Sequence, residues 1–397
     1  MNLSAVTQAR DGCRDAEESR ASWFIGAHHA VSRLALLSFG LLLAACAAPR
    51  GTLVLDREAA AVGTVYPILV ATSRAPTEGP ELFSRTRSDT VSFLRFDVSV
   101  PPDRQPGEIA YPETVPPDPR TDFVTVAAQR LDGERGFVAA VNAEVASRQE
   151  HEAILFLHGY NMNFTEGLYR EAQLKHDFAN PNLAVHYSWP SAASARYYVY
   201  DLESALFARN GLEATLAALT RSRVDGITVV AHSMGGQVLM ETLRQMAIRG
   251  DPRLFHKIDT ILLISPDVNV DLFRTQVAEI APYDIPIYIV FSERDRALRL
   301  SSRLRGERGR LGSVGDTDWE ALDYNVRLVD LTDIEGGDPL GHFSAGTSPA
   351  VIAVIRGLNV TGVATFEEKG GGTGIFSEGI SMIQEGAEVM LTPIAGP

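Results

Sequence analysis

The sequence predicts an α/β fold with a mostly parallel central sheet, helices on both faces of the sheet and an antiparallel N-terminal edge. Short apolar, β-branched segments recur near residues 153, 183, 226, 258, 285 and 325, and a helical pattern follows each of them. Two segments with alternating apolar residues, 66–74 and 90–100, precede this series and predict two antiparallel strands. A chain of 397 residues that is 45% hydrophobic can bury one large core.

The N-terminal region has the pattern of a targeting segment. An apolar run over 34–48 is too short to span a bilayer as a helix and contains Leu43-Ala-Ala-Cys46, which is typical of a bacterial lipobox. We therefore expect a signal segment over 1–46, cleavage before Cys46 and lipid attachment at that cysteine. An ordinary signal peptide that happens to contain a cysteine is the alternative.

The remaining organisation follows from this interpretation. The polar residues before His28 do not fit a normal signal sequence, so we expect translation to start after them. We also expect a tether over 47–62, a folded domain over 63–358 and a flexible, Gly- and Ser-rich tail over 359–397. The protein would then be exported and lipid-anchored in the bacterial cell envelope, and Ala47 favours the periplasmic face of the outer membrane.

Composition and motifs narrow the classes of partner. The formal net charge of -14 argues against nucleic acid, because binding to phosphates needs a dense cationic surface. Metal-binding and nucleotide-binding motifs do not occur, so we expect no cofactor and no metal. The expected partners are a small-molecule or lipid ester and, through Cys46, a membrane; the oligomeric state is not indicated.

The segment Ile227-Thr-Val-Val-Ala-His-Ser233-Met-Gly-Gly predicts a nucleophile elbow. A strand runs into a sharp turn that exposes the central hydroxyl, and the residues two positions away on either side must be small. These are Ala231 and Gly235. Ser233 is therefore the candidate nucleophile, with a buried corner serine as the alternative.

Chain order identifies a candidate base, because sites of this kind place the histidine after the last strand. His342 follows the predicted strand over 326–330. Four other histidines compete with it. His158 and His232 lie within motifs and are predicted to support loops, His256 precedes a strand, and His186, like these three, does not lie in the loop after the final strand. A solvent-exposed loop histidine is the alternative for His342.

The candidate acid is Asp295, which follows the strand over 285–291. Asp267, one strand earlier, is the second choice. We expect Asp267 to cap a helix instead, because Asp267-Val-Asn-Val-Asp271 precedes a helical pattern.

Two backbone amides are predicted to bind an oxyanion, that of Met234 after the serine and that of Tyr160 in the loop after the strand over 153–157. Gly159 would keep this loop free of a Cβ atom beside the substrate. The predicted supporting residues are His158, Gly159, His232 and Gly235.

Three further segments surround this constellation. Asn163-Phe-Thr-Glu166 fits a capping box at the start of the next helix. The segment 196–201 with 202–219 predicts a cap, and we expect its tyrosines, Tyr197, Tyr198 and Tyr200, to pack rather than to line an acyl pocket. Arginines are concentrated over 294–310, which we interpret as a solvated helix face, with contact to lipid head groups as the alternative.

These motifs, together with Ser188-Trp-Pro, Ser265-Pro-Asp and Gly341-His-Phe, resemble a family of bacterial α/β-hydrolase-like lipoproteins. The family belongs to the esterase/lipase superfamily and has no assigned substrate. The resemblance covers roughly 65–358, and it implies an α/β-hydrolase fold and a reaction type but no substrate.

The resulting hypothesis is a serine esterase that acts on carboxylic esters or lipids through Ser233, His342 and Asp295 and an acyl-enzyme. One alternative is an acyltransferase that modifies envelope glycans or lipids. The other is a non-catalytic envelope lipoprotein that uses the same fold to bind a partner.

Overall fold

The computed structural model of the protein describes residues 51–79, 81–306, 310–313, 324–333, 340–349, 351–352, 381–384 and 387–393. The strands are β1 (Thr64–Pro76), β2 (Phe83–Val100), β3 (Val124–Arg130), β4 (Ala153–Leu157), β5 (Leu183–Ser188), β6 (Ile227–His232), β7 (Ile258–Ile264), β8 (Ile287–Phe291), β9 (Val326–Asp330), β10 (Ser381–Gln384) and β11 (Ala387–Pro393). The α-helices are α1 (Gly133–Ala146), α2 (Phe164–Asp177), α3 (Tyr198–Phe207), α4 (Arg209–Arg221), α5 (Met234–Arg249), α6 (Val270–Ile280), α7 (Arg296–Arg305) and α8 (Ser344–Thr347). The signal segment with Cys46 lies outside the described residues.

All the strands belong to one sheet, in the order β10-β11-β9-β8-β7-β6-β4-β5-β1-β2-β3. Pairing is parallel from β1 through β5, β4, β6, β7 and β8 to β9, as the sequence predicts. β2 and β3 form the predicted antiparallel edge. Two details differ from our expectation. β1 is an interior strand, because it pairs with β5 as well as with β2, and β3 is an additional strand.

The other edge of the sheet is formed by β11, antiparallel to β9, and by β10, antiparallel to β11. Both strands lie within 359–397, the segment that we interpreted as a tail. The sequence gives little indication of them, because a strand at an edge can be recruited by backbone hydrogen bonds alone, without a long apolar pattern.

Alternate residues of the central strands pack on opposite faces of the sheet. In β4, Leu155 and Leu157 belong to a cluster that includes residues of α1, α4, α5 and α6, whereas Phe156 belongs to a cluster on the other face that includes Leu174 of α2. Each fully buried Leu or Phe stabilises the fold by about 1.5–3 kcal/mol. The prediction of helices on both faces is therefore confirmed.

Residues 51–62, which we expected to be part of a tether, are packed against the domain. The backbone of residues 54–56 forms hydrogen bonds with Thr125, and a 3-10 helix over Arg57–Ala61 follows. The amide of Gly51 donates to Glu166 Oε1 at 3.3 Å, and the side-chain amide of Asn163 donates to the carbonyl of Gly51 at 3.0 Å. The first described residue is therefore fixed at the start of α2.

The start of α2 has the capping box that the sequence predicts. Asn163 Oδ1 accepts a hydrogen bond from the Glu166 amide at 2.8 Å, and Glu166 Oε2 accepts one from the Asn163 amide at 2.8 Å. These bonds satisfy backbone donors that have no partner within the helix. They fix the point at which the chain leaves the loop after β4.

Only part of the predicted cap lies at the surface. α4 belongs to the core, since Leu212, Leu216 and Leu219 are fully buried. α3 is more exposed, with Val199 at 70% and Leu206 at 41%. In the described part of the chain, no helix is both long and apolar enough to cross a bilayer.

Candidate active site

The turn after β6 has the geometry of the predicted elbow. Ser233 has φ 53° and ψ −123°, a region that costs a residue with a side chain about 1–3 kcal/mol. A Cβ atom on Gly235 would lie 2.6 Å from the carbonyl oxygen of His158, so only glycine fits there. The methyl group of Ala231 is accommodated, since that residue is fully buried in the core.

The side chains of Ser233, His342 and Asp295 lie within hydrogen-bond distance of one another, in that order. His342 Nε2 lies 2.7 Å from Ser233 Oγ, and His342 Nδ1 lies 2.7 Å from Asp295 Oδ2. This series of hydrogen-bonded side chains allows the imidazole to accept the hydroxyl proton while the carboxylate stabilises the resulting positive charge. Three residues distributed over more than 100 positions of the sequence thus meet at the carboxyl edge of the sheet.

Asp295 is held from two sides. Its side chain is fully buried, and its second oxygen, Oδ1, accepts a hydrogen bond from the Leu298 amide at 2.9 Å, so Asp295 is the N-cap of α7. The amide of Arg296 donates to the carbonyl of Leu340 at 3.0 Å, which joins α7 to the loop that carries His342. The helix start therefore fixes both the carboxylate and the loop that it faces.

We expected Asp267, the second choice of acid, to cap the helix that follows it, and this expectation was wrong. Asn269, not Asp267, caps α6, because its side chain accepts a hydrogen bond from the Leu272 amide at 3.1 Å. Asp295, one strand later, is the N-cap of its own helix, α7.

Asp267 instead is the centre of a buried polar cluster. Its carboxylate accepts hydrogen bonds from the Tyr198 hydroxyl at 2.6 Å and the Ser301 hydroxyl at 2.8 Å. Arg310 Nε lies 3.4 Å and Arg305 Nη2 lies 3.9 Å from the same carboxylate. Burial, and then the charge of Asp267, raise the pKa of Tyr198 to about 12. The cluster connects α3 to α7.

Asp267 also supports the elbow through its backbone, because its amide donates to the carbonyl of Ser233 at 3.2 Å. The three predicted cap tyrosines make protein contacts. The Tyr198 ring packs edge-on against Tyr160, and Arg85 and Arg87 lie over the rings of Tyr197 and Tyr200 respectively.

The loop after β4 lies directly against the elbow. A Cβ atom on Gly159 would lie 2.6 Å from His232 Nδ1 and 3.0 Å from Ser233 Cβ, so a larger residue would displace one of them. Tyr160 follows Gly159, and Met234 is the first residue of α5, where an amide has no acceptor within its own helix. The two predicted oxyanion donors thus belong to adjoining segments.

His158 and His232 support this arrangement. Among the described hydrogen bonds, none joins either ring to the hydroxyl of Ser233. His158 is stacked on Trp189, with ring centroids 5.1 Å apart, and its ring nitrogens lie 2.8 Å and 3.1 Å from the carbonyl oxygens of Gly159 and Trp189. The centroid of the His232 ring lies 4.2 Å from that of the Phe343 ring and 4.8 Å from that of the His342 ring. Burial lowers the pKa of both His158 and His232 well below the usual value, so each is neutral at pH 7.

Two other histidines that we compared with His342 are engaged elsewhere. His186 is buried and lies 3.1 Å from the carbonyl of Phe156, and burial lowers its pKa to about 3. His256 is exposed and bonds to the carbonyl of Arg253. These contacts agree with our choice of His342 as the candidate base.

Sequence reasoning missed Arg74, which is 1% exposed at the end of β1. Its guanidinium donates to the carbonyl of Met162 at 2.8 Å, to the carbonyl of Ser191 at 2.9 Å and to Ser188 Oγ at 3.0 Å. Burial lowers its pKa to about 10, so the group is charged at pH 7. Arg74 therefore joins the loop after β4 to the loop after β5. An arginine within an otherwise apolar strand was the available signal.

Sequence reasoning also missed Asp201 of α3, whose carboxylate provides the charge opposite to that of Arg74. Its carboxylate accepts hydrogen bonds from the Ser191 hydroxyl and the Ala192 amide, both at 2.6 Å. Burial raises the pKa of Asp201, whereas these bonds, the amide of Asn161 and the charge of Arg74 oppose the rise. A buried charge needs such compensation to be tolerated.

Within the described residues, no group of three or more His, Cys, Asp or Glu side chains is arranged to hold a metal ion. The chemistry that the site can perform is proton transfer between hydroxyl and imidazole, followed by attack of the oxygen on an electrophile.

We predict that Arg74→Met lowers the free energy of unfolding by about 3–5 kcal/mol, because it leaves two loop carbonyls without their buried donor and Asp201 without the nearby positive charge. Urea unfolding followed by circular dichroism measures this change. The control is Arg130→Met, at an exposed position, which should change stability by less than about 1 kcal/mol. An equal, small effect of both substitutions would contradict a supporting role for Arg74.

A search of curated proteins found no match for this chain. The model of a family described as "Alpha/beta hydrolase of unknown function (DUF900)" matches residues 134–358, more than half of the sequence. The match contains the loop after β4, the elbow, Asp295 and His342, whereas β1, β2, β3 and Arg74 precede it. The resemblance stated from the sequence motifs is thereby confirmed: the chain belongs to this α/β hydrolase family of unknown function.

Proposed function

We propose that this protein is a serine hydrolase of carboxylic esters, with Ser233 as nucleophile, His342 as general base and Asp295 as the group that orients the imidazole. The observation that carries the proposal is the pair of 2.7 Å contacts from His342 to Ser233 and to Asp295. Membership in an α/β hydrolase family supports it, since esterases and lipases share this fold.

In the first half-reaction, His342 Nε2 accepts the proton of Ser233 Oγ as the oxygen attacks the ester carbonyl. The Nδ1 proton of His342 stays hydrogen-bonded to Asp295 Oδ2, which stabilises the imidazolium. Collapse of the tetrahedral intermediate breaks the bond to the alcohol oxygen, and His342 returns its proton to that oxygen. The alcohol leaves and the acyl group remains on Ser233.

The amides of Met234 and Tyr160 stabilise the negative oxygen of each tetrahedral intermediate. Donors of this type contribute about 10²–10³-fold each to the rate. The packing of Gly159 against Ser233 Cβ supports this assignment, because it brings the loop that carries Tyr160 to the elbow. In the second half-reaction, water gives its proton to His342 and attacks the acyl carbon, which releases the acid and restores Ser233.

We propose further that the protein is anchored in the bacterial cell envelope through a lipid on Cys46. The support is the lipobox sequence Leu43-Ala-Ala-Cys46 after a short apolar run. An anchor of this kind would bring the hydrolase to lipid esters of a membrane.

We predict that Ser233→Ala and His342→Ala each abolish labelling by a fluorophosphonate probe, which needs an activated serine. Each should lower kcat/KM for a p-nitrophenyl ester by roughly 10⁶-fold, the scale seen when a member of a serine triad is removed. Ser222→Ala is the matched control, because Ser222 is buried but lies before β6, at the opposite edge of the sheet. A folded wild-type protein that the probe does not label would refute the hydrolase and favour a binding role.

Release of free acid, rather than transfer of the acyl group to an added alcohol, distinguishes a hydrolase from an acyltransferase.

We predict opposite effects for two substitutions of buried carboxylates. Asp295→Asn should lower kcat by about 10⁴-fold with little loss of structure, since an amide favours the wrong histidine tautomer. Asp267→Asn should lower stability by about 3–5 kcal/mol, because Arg305 and Arg310 lose their counter-charge, while kcat of the folded protein changes less than about tenfold. Steady-state kinetics and urea unfolding of both variants measure this. The reverse ranking of kcat would assign the orienting role to Asp267.

We predict that the protein made in a bacterial host incorporates radioactive palmitate and sediments with membranes. Cys46→Ala should abolish both, whereas Cys13→Ala should change neither if residue 13 is upstream of the cleavage site. Palmitate incorporation that persists in Cys46→Ala would exclude this anchor.

A further inference from the structure

One face of α7 consists of exposed cationic and apolar side chains. Arg296, Arg299, Leu300 and Arg303 follow the i, i+3, i+4, i+7 spacing of a single helix face, and all four are exposed. Leu298 and Ser301, on the other side of the helix, are buried. We call the four exposed residues the arginine face.

The positive charge of this face has no counter-charge in the described part of the chain. Ion pairs there join Arg294 to Asp333 and Arg305 to Asp267, but none joins Arg296, Arg299 or Arg303 to a carboxylate. α7 itself contains no Asp or Glu. Like charges three and four positions apart destabilise a helix, so the face is costly without an external anion. This concentration of positive charge also contrasts with the net charge of the protein, which is -14.

The arginine face adjoins the candidate active site. α7 begins after β8, at the carboxyl edge of the sheet, and its N-cap is Asp295, which contacts His342. The Ser301 hydroxyl lies 2.8 Å from the Tyr198 hydroxyl, so α3 packs beside α7. Leu300, which belongs to the face, is 46% exposed. An apolar side chain thus accompanies the charges.

We propose that the arginine face is a docking surface for a bilayer that contains anionic phospholipids. Guanidinium groups bind phosphate oxygens with two parallel hydrogen bonds, and a cluster of cationic side chains at a surface is attracted to an anionic leaflet. Charge complementarity between this face and an anionic leaflet selects this occupant. Docking by the arginine face does not depend on the ester chemistry. Only the consequence of docking, that membrane esters are brought to Ser233, rests on the proposed function.

Vesicle flotation tests the proposal with the full-length Cys46→Ala chain, so that no lipid on Cys46 contributes. The probes are vesicles of phosphatidylcholine alone and vesicles of phosphatidylcholine mixed with phosphatidylglycerol. We expect preferential binding to the anionic vesicles, which declines as ionic strength rises. Arg296→Gln/Arg299→Gln/Arg303→Gln should weaken that binding by about 100-fold, given the contribution of each cation near an anionic surface.

The matched control is Arg221→Gln/Arg223→Gln/Arg253→Gln, which removes the same charge from exposed positions before β6 and β7, at the opposite edge of the sheet. It should retain anionic binding within about threefold of the parent chain, since distant exposed charges are screened by salt. Thermal unfolding by circular dichroism verifies that both triple variants are folded. Equal binding to neutral and anionic vesicles, or equal loss in the two triple variants, would overturn the proposal. So would tighter binding of polyglutamate than of anionic vesicles, which would assign the face to an acidic protein.

Discussion

The backbone conformation of Ser233 is the constraint on which the rest of the site depends. Its positive φ is maintained because β6 and α5 are both buried and because Gly235 lets the carbonyl oxygens of residues 157 and 158 approach the helix start. Strain of this kind persists only where the surrounding structure determines the backbone completely. The buried core therefore holds the serine hydroxyl in one position, and the two flanking loops are built around that position.

Charged groups buried at the carboxyl edge of the sheet hold these loops. Arg74 and Asp201 bind the loops after β4 and β5, and Asp267 connects α3, α7 and the elbow. An apolar contact would fill the same space but would leave loop carbonyls and amides without partners. Polar clusters are thus the physical means by which irregular segments are fixed at an otherwise apolar sheet. Their cost in desolvation is offset by the number of hydrogen bonds that each charge makes.

The parts of the fold that sequence reasoning anticipated are those encoded by local pattern. The six central strands, the capping box at Asn163 and the turn at Ser233 each have a signal within about ten residues, and chain order grouped Ser233, His342 and Asp295. Features that depend on distant partners were not anticipated. Arg74 lies in a strand with an apolar pattern, and its partners come from loops about 90 to 120 positions later. The cap of α6 was assigned to Asp267 rather than to Asn269 because propensity does not tell which of several Asx residues turns toward the helix. β3, β10 and β11 are edge elements with weak patterns.

The interior position of β1 sets a lower limit on the piece of this polypeptide that can fold by itself. The segment matched by the family model begins within α1, after β1, yet β1 lies between β5 and β2 in the sheet. Excision of everything before α1 would leave β5 as an open edge, with a row of unsatisfied amides and carbonyls and with buried aliphatic side chains exposed to water. Such a fragment would self-associate through that edge. The smallest autonomous unit of this α/β-hydrolase fold therefore starts upstream of the segment that the family model matches.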